Sequence, residues 1–98
     1  MAFEIQFAES VTGHLRALTR AERVRVLDAV ARQLVREPLV ETRNRKPLRP
    51  NPVAPWELRV GALRVFYEVV SKPEVVRVVA VGKKERSLLR IGRREIKI

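Results

Sequence analysis

Five of the six prolines fall between residues 38 and 55, at positions 38, 47, 50, 52 and 55. Each fixes its own φ, removes a backbone donor and pushes the residue before it towards extended conformations, so neither a long helix nor a central strand crosses this stretch. The cluster cuts the chain in two, and the two parts have different periods. Before it, Ser10 starts a first helix through Val11, Leu15 and Leu18, weakened by Gly13. Thr19-Arg20-Ala21-Glu22 has the spacing of a capping box, and Val24, Leu27, Val30, Ala31 and Leu34 follow at three- and four-residue intervals, predicting a second helix to about Arg36. Ahead of both, Phe3, Ile5 and Phe7 alternate with polar residues as a short strand does.

Beyond the prolines the period drops to two. Trp56, Leu58 and Val60 alternate with Glu57 and Arg59, Gly61-Ala62 makes a turn, and Leu63, Val65, Tyr67 and Val69 alternate with Arg64, Phe66 and Glu68. Lys72-Pro73-Glu74 supplies a further turn, and Val75 to Val81 reads as a strand flanked by neighbours. For the remainder we expect a short helix over residues 86–90 and a last strand over 95–98. The order strand, helix, helix, strand, strand, strand predicts an α+β fold in a single domain over residues 1–98, an antiparallel sheet packed on an N-terminal helical hairpin.

Charge is divided at nearly the same place. The chain carries 21 Lys and Arg against 11 Asp and Glu, a net of +10. Residues 1–40 hold six Arg against five acids, and residues 41–98 hold fifteen basic residues against six acids. The first part is scaffold, and the second presents a footprint for a polyanion. The proline-stiffened loop contributes Arg43, Arg45, Lys46 and Arg49. Its length suits a binding loop better than a plain connection, because structureless connections this long are uncommon in compact domains.

Parity places the rest. Side chains alternate across a strand, so Glu57, Arg59, Arg64 and Phe66 share the face opposite the apolar set. They form a cationic surface with one carboxylate and one aromatic on which a base can stack. Metal-free cleavage of RNA needs a base for the 2′-hydroxyl, cations for the pentacovalent phosphate and an acid for the departing 5′-oxygen. Glu57 supplies a base, and Arg59 and Arg64 supply the cations. The competing reading of Glu57 is a cross-strand salt bridge, worth up to about 1 kcal/mol and common on exposed sheets.

The hairpin Trp56 to Val69, the run Val81-Gly82-Lys83-Lys84-Glu85-Arg86-Ser87 and the upstream Thr42 to Leu48 resemble the RelE/ParE superfamily of toxins from bacterial toxin-antitoxin systems. The likeness covers nearly the whole chain and rests on the order and spacing of these segments. It implies an antitoxin that wraps and neutralises the protein, and a +10 surface makes that antitoxin acidic. In the RelE branch, which the Gly-Lys-Lys-Glu-Arg-Ser run resembles, it implies ribosome-dependent cleavage of mRNA and inhibition of translation. In the ParE branch it implies inhibition of DNA gyrase without nuclease chemistry, and a catalytically silent RNA- or antitoxin-binding homologue is the third reading.

Position by position, Arg64 matches the Arg that stabilises the scissile phosphate, and Lys84 stands where that branch has a further cation, usually Arg. Glu57 replaces a Lys general base and Arg90 replaces a catalytic Tyr, so both depart from the pattern. Lys84 is the better proton donor, since Arg titrates above pH 12. Arg90 is counted with Glu57, Arg59, Arg64 and Lys84 in the expected catalytic set, and Lys83 and Arg86 complete the expected RNA-contacting set. Trp-Glu-Leu-Arg resembles the HigB-like branch, whose catalytic groups include His, but the single histidine, His14, reads as a helix-surface residue. No metal and no small-molecule cofactor is implied.

No Cys is present, which excludes disulfides, a thiol nucleophile and thiolate metal sites. No apolar run approaches the roughly 20 residues of a spanning helix, and Glu4 interrupts the start where an export signal is apolar. A cytoplasmic protein with no membrane partner is expected.

Overall fold

A computed structural model describes residues 2–96. In chain order its elements are β1 (Glu4–Phe7), α1 (Val11–Arg16), α2 (Arg20–Gln33), β2 (Arg45–Pro47), β3 (Trp56–Val60), β4 (Leu63–Val70), β5 (Val75–Glu85), β6 (Leu88–Ile91) and β7 (Arg94–Ile96). Strands β2 to β7 follow one another in an antiparallel meander. The eleven-residue β5 is long enough to give β4 one edge and to divide its other edge. Its first half pairs in parallel with β1, and its second half pairs antiparallel with β6.

The capping box forms as the sequence predicts. The Glu22 amide donates to the Thr19 hydroxyl at 3.2 Å, and the Thr19 amide donates to the Glu22 carboxylate at 2.9 Å. Such caps stabilise a helix start by about 1 kcal/mol. Ser10 does not cap α1; its hydroxyl donates instead to the Val79 carbonyl at 3.4 Å. Helix α2 stops at Gln33, earlier than periodicity predicts, and the Arg45 guanidinium donates to the Gln33 carbonyl at 2.6 Å.

The core lies between α2 and one face of the sheet, where Val26, Val30 and Leu34 meet Leu58, Val65, Tyr67, Val76 and Val78. Each such side chain contributes roughly 1.5–3 kcal/mol by leaving water. The buried stripe only partly matches the one periodicity selects: Val30 and Leu34 are buried as expected, but Val26 and Ala29 take the remaining places while Val24 and Leu27 point outwards, 59% and 44% exposed. Burial holds the Tyr67 phenol far above its ordinary pKa, and its hydroxyl donates to the Pro38 carbonyl at 2.7 Å, anchoring the start of the proline-rich segment on the core.

The opposite face is not open either. Phe66 is fully buried there with Ala54, Ala80, Leu89 and Ile91, packed against Leu48, Val53 and Ile96. Two segments build this second cluster. One is residues 48–55, folded around Asn51, whose side chain bonds the backbone at Arg49, Val53 and Ala54. The other is the β6–β7 hairpin. This hairpin replaces the expected helix over 86–90: residues 86–87 form a turn with Arg86 at φ 57°, and Leu88–Ile91 is extended. The last strand starts at Arg94, earlier than expected, and residues 97–98 of the expected span lie outside the described residues.

Candidate functional site

The β3–β4 hairpin is in register, with Glu57 opposite Phe66 and Arg59 opposite Arg64. This brings the polar set together on the face away from α2. The Arg59 guanidinium approaches Glu57 Oε2 at 3.1 Å, and Arg64 Nε lies 3.6 Å from Oε1. The first distance is a hydrogen bond and the second an ion contact only. Glu57 Oε1 therefore keeps a lone pair without a hydrogen-bond donor among the described residues. Lys46 stands across from Glu57 on β2 and shares its face.

A cleft of about 790 Å³ opens beside this group, lined by Glu57, Arg59 and Lys84, by Ser87 and Glu95, and by an apolar floor of Leu48, Leu88, Leu89 and Ile96. A volume of this size accommodates a nucleotide. The cleft exists because the β6–β7 hairpin and residues 48–55 rise on either side of β3. Ser87, Leu88, Leu89, Glu95 and Ile96 were absent from the sequence-based set, although the alternation of Leu89 and Ile91 carries a period-two signal.

The two arginines are not equivalent. Arg64 Nη1 donates to the carbonyls of Gly61 and Leu63 at 2.7 and 2.9 Å, which ties it to the β3–β4 turn. Its side chain is 13% exposed against 41% for Arg59. Desolvation lowers the Arg64 pKa, while the Glu57 charge opposes that shift. Arg64 is thus largely a structural cation holding Glu57, and the surface available to a phosphate belongs to Arg59 and Lys84.

The other expected residues separate. Phe66 is buried and offers no face to a base, because the second apolar cluster covers it. Arg45 shares the α2 side of the sheet and bonds the Gln33 and Val40 carbonyls, so it braces the helix end and is not held out for RNA. Arg43, Arg49 and Arg86 are exposed. Lys83 and Arg90 are a cross-strand pair on the α2 side, with Lys83 Nζ 2.8 Å from Glu22 and Arg90 3.8 Å from Glu95. Neither lines the Glu57 cleft, although Glu95, the partner of Arg90, stands at its edge.

His14 is half-buried, with its ring turned towards β5. Its Nδ1 accepts the Val81 amide at 3.2 Å, and burial lowers its pKa. It lines a second cavity, on the α2 side. Among the described residues no group of three or more metal-ligating side chains is found. No helix among them is long and apolar enough to cross a membrane.

This fold is shared with chains of two solved toxin-antitoxin complexes. A chain of the toxin-antitoxin complex RelBE2 from Mycobacterium tuberculosis superposes with a TM-score of 0.74 at 24% identity, covering 86% of this chain and 100% of that one. A chain of the archaeal RelE-RelB complex from Pyrococcus horikoshii OT3 superposes with a TM-score of 0.63 at 22% identity, covering 88% and 99%. At these identities the likeness shows the fold. No protein-family model matches the sequence, and no curated protein matches it.

Proposed function

We propose that this chain is the toxin of a toxin-antitoxin pair and that it acts as a metal-independent endoribonuclease on mRNA at the ribosome. The observation that carries this reading is the Glu57 carboxylate in a cleft, with one free oxygen and Arg59 and Lys84 around it. The fold shared with chains of two toxin-antitoxin complexes supports the same reading.

Glu57 Oε1 takes the proton of a 2′-hydroxyl. The 2′-oxygen forms a bond to phosphorus, and the bond from phosphorus to the 5′-oxygen breaks, leaving a 2′,3′-cyclic phosphate. Arg59 neutralises the charge that develops on the phosphate oxygens. Lys84 gives a proton to the departing 5′-oxygen, and solvent returns both groups to their starting states. Arg43, Lys46, Arg49 and Arg86 hold the flanking RNA through its phosphates. The partner that silences this surface is an acidic antitoxin, steered by the +10 charge. The outward Val24 and Leu27 of α2 give it an apolar seat.

Induced expression in bacteria, with the 5′ ends of cellular mRNA mapped, tests the activity. New ends within translated codons are expected. Growth arrest without new ends, accompanied by inhibited DNA supercoiling, would replace this reading with a binding-only ParE-like one, in which Glu57 is solely a salt-bridge partner.

A further inference from the structure

The α2 side of the sheet holds a cavity of about 430 Å³ between the end of α1, the start of α2 and the β5–β6 edge. Its lining includes His14, Arg16, Lys83, Arg90 and Arg93, with Glu22 and Glu85 as its acids. Chain segments far apart in sequence supply these cations: the last turn of α1, the end of β5, and the β6–β7 hairpin. None of them belongs to the Glu57 cleft, which lies across the sheet.

The hydrogen-bond pattern gives the cavity a definite polarity. His14 Nδ1 is spent on the Val81 amide, so the neutral ring carries its hydrogen on Nε2 and is a donor. This excludes His14 as a general base. Both Glu22 oxygens are already occupied, one by the Thr19 amide and the other by Lys83. The Lys83 ammonium has two donors left after that bond. Arg16 and Arg93 make no ion pair among the described residues. The space is also kept open on the β6–β7 side. Gly92 has φ +64°, and a Cβ there would touch the His14 ring at 3.4 Å.

We propose that this cavity is a phosphate-binding site, separate from the Glu57 cleft, that takes the phosphate group of a nucleotide. Arg16, Lys83, Arg90 and Arg93 supply the charge, and His14 Nε2–H supplies a neutral, directional donor. The start of α2 adds the positive end of its dipole. The proposal does not depend on the nuclease reading. It accounts for Lys83 and Arg90, two cations that do not line the Glu57 cleft.

The test is calorimetric titration of the full chain with inorganic phosphate, adenosine 5′-monophosphate and a ten-nucleotide single-stranded RNA. It compares the wild type with Arg93→Ala, Ala17→Glu and Arg59→Ala. Ala17 is an exposed lining residue at the end of α1, so a carboxylate there repels an anion without disturbing the core. Thermal unfolding of each variant verifies the fold. Saturable binding of the monophosphate, weakened at least tenfold by both Arg93→Ala and Ala17→Glu and unaltered by Arg59→Ala, supports the site. Equal binding of inorganic phosphate assigns it to a free anion. Binding by RNA alone, with the same sensitivity to the two variants, assigns it to a backbone phosphate. The proposal is overturned if none of the three probes binds. It is also overturned if Ala17→Glu binds like the wild type, or if Arg59→Ala abolishes all the binding.

Discussion

Replacing Glu57 by Gln separates two roles that one carboxylate can have. In the folded protein this group holds two guanidiniums, and the magnitudes differ. The Arg59 partner is 41% exposed, so its pair contributes at most about 1 kcal/mol. Glu57 and Arg64 are 12% and 13% exposed, with their charged atoms 3.6 Å apart. At an effective dielectric near 20 such a contact attracts by roughly 4–5 kcal/mol before desolvation is subtracted. Gln keeps the shape and an acceptor, and Arg64 keeps its two carbonyl acceptors, so the net cost of Glu57→Gln should be about 1–2 kcal/mol. For a chain of this length that lowers the Tm by roughly 5–15 °C. A domain with an ordinary stability of about 5 kcal/mol or more stays over 99% folded after such a loss. Loss of a general base costs about 10²–10⁴ in rate, far more than the lost folded fraction can explain. The assay is cleavage of ribosome-bound mRNA at a temperature where circular dichroism shows all the proteins folded, with Arg64→Gln, which removes a Glu57 partner outside the proposed chemistry, as the control for the ion pair. Cleavage by folded Glu57→Gln within threefold of wild type would refute the base assignment and leave Glu57 as a structural ion-pair partner.

Three further outcomes follow from other parts of the molecule. Leu27→Asp places a charge on the outward apolar stripe of α2; it should reduce capture of the co-expressed antitoxin at least tenfold while leaving the Tm within a few degrees, and undiminished capture would move the antitoxin elsewhere. A Cβ at Gly82 would run into the Arg90 carbonyl oxygen and lie 2.9 Å from Ile91 Cγ1; Gly82→Ala should therefore cost about 1–3 kcal/mol, read as a lower urea midpoint at unchanged m, and an unchanged midpoint would contradict it. The Glu22–Lys83 pair sets a pH window. Its hydrogen bond to Lys83 chiefly holds the Glu22 pKa below 4.5, and the same bond holds Lys83 above 10.5. Glu22 thus stabilises the fold above its unfolded pKa, with the gain lost as pH falls through the folded value. Lys83 stabilises it below 10.5, with the gain lost as pH rises through its raised value. Lys83→Met should flatten both limbs of a stability-pH profile, and an unchanged profile would argue against the pair.

Much of this architecture is legible in the sequence, for reasons that also mark where legibility ends. The capping box at Thr19, the hairpin at Gly61-Ala62 and the face shared by Glu57, Arg59 and Arg64 depend on residues a few positions apart, and local patterns encode them. What local patterns do not encode is which face receives a second cover. Phe66 alternates like a surface residue, yet residues 48–55 and the β6–β7 hairpin close over it. The outward Val24 and Leu27 fit the helical period as well as the buried Val26 and Val30, and only the position of the sheet chooses between them. The two lysines after Gly82 turn on one extra residue. In β5, Val78 pairs with Tyr67 and Ala80 with Phe66, so Val79 is inserted between them. Unbroken alternation from Val76 and Val78 would put Lys84 on the α2 side and Lys83 in the Glu57 cleft. The bulge exchanges them, and no residue type at 79 announces it.

The most direct measurement of the central claim is primer extension on a defined mRNA in a reconstituted translation system with purified wild-type protein and no added divalent-metal cofactor beyond that of the ribosome buffer. Cuts within codons should appear only when ribosomes are bound and disappear with Glu57→Gln. Intact mRNA in the presence of folded wild-type protein and active ribosomes would contradict that claim.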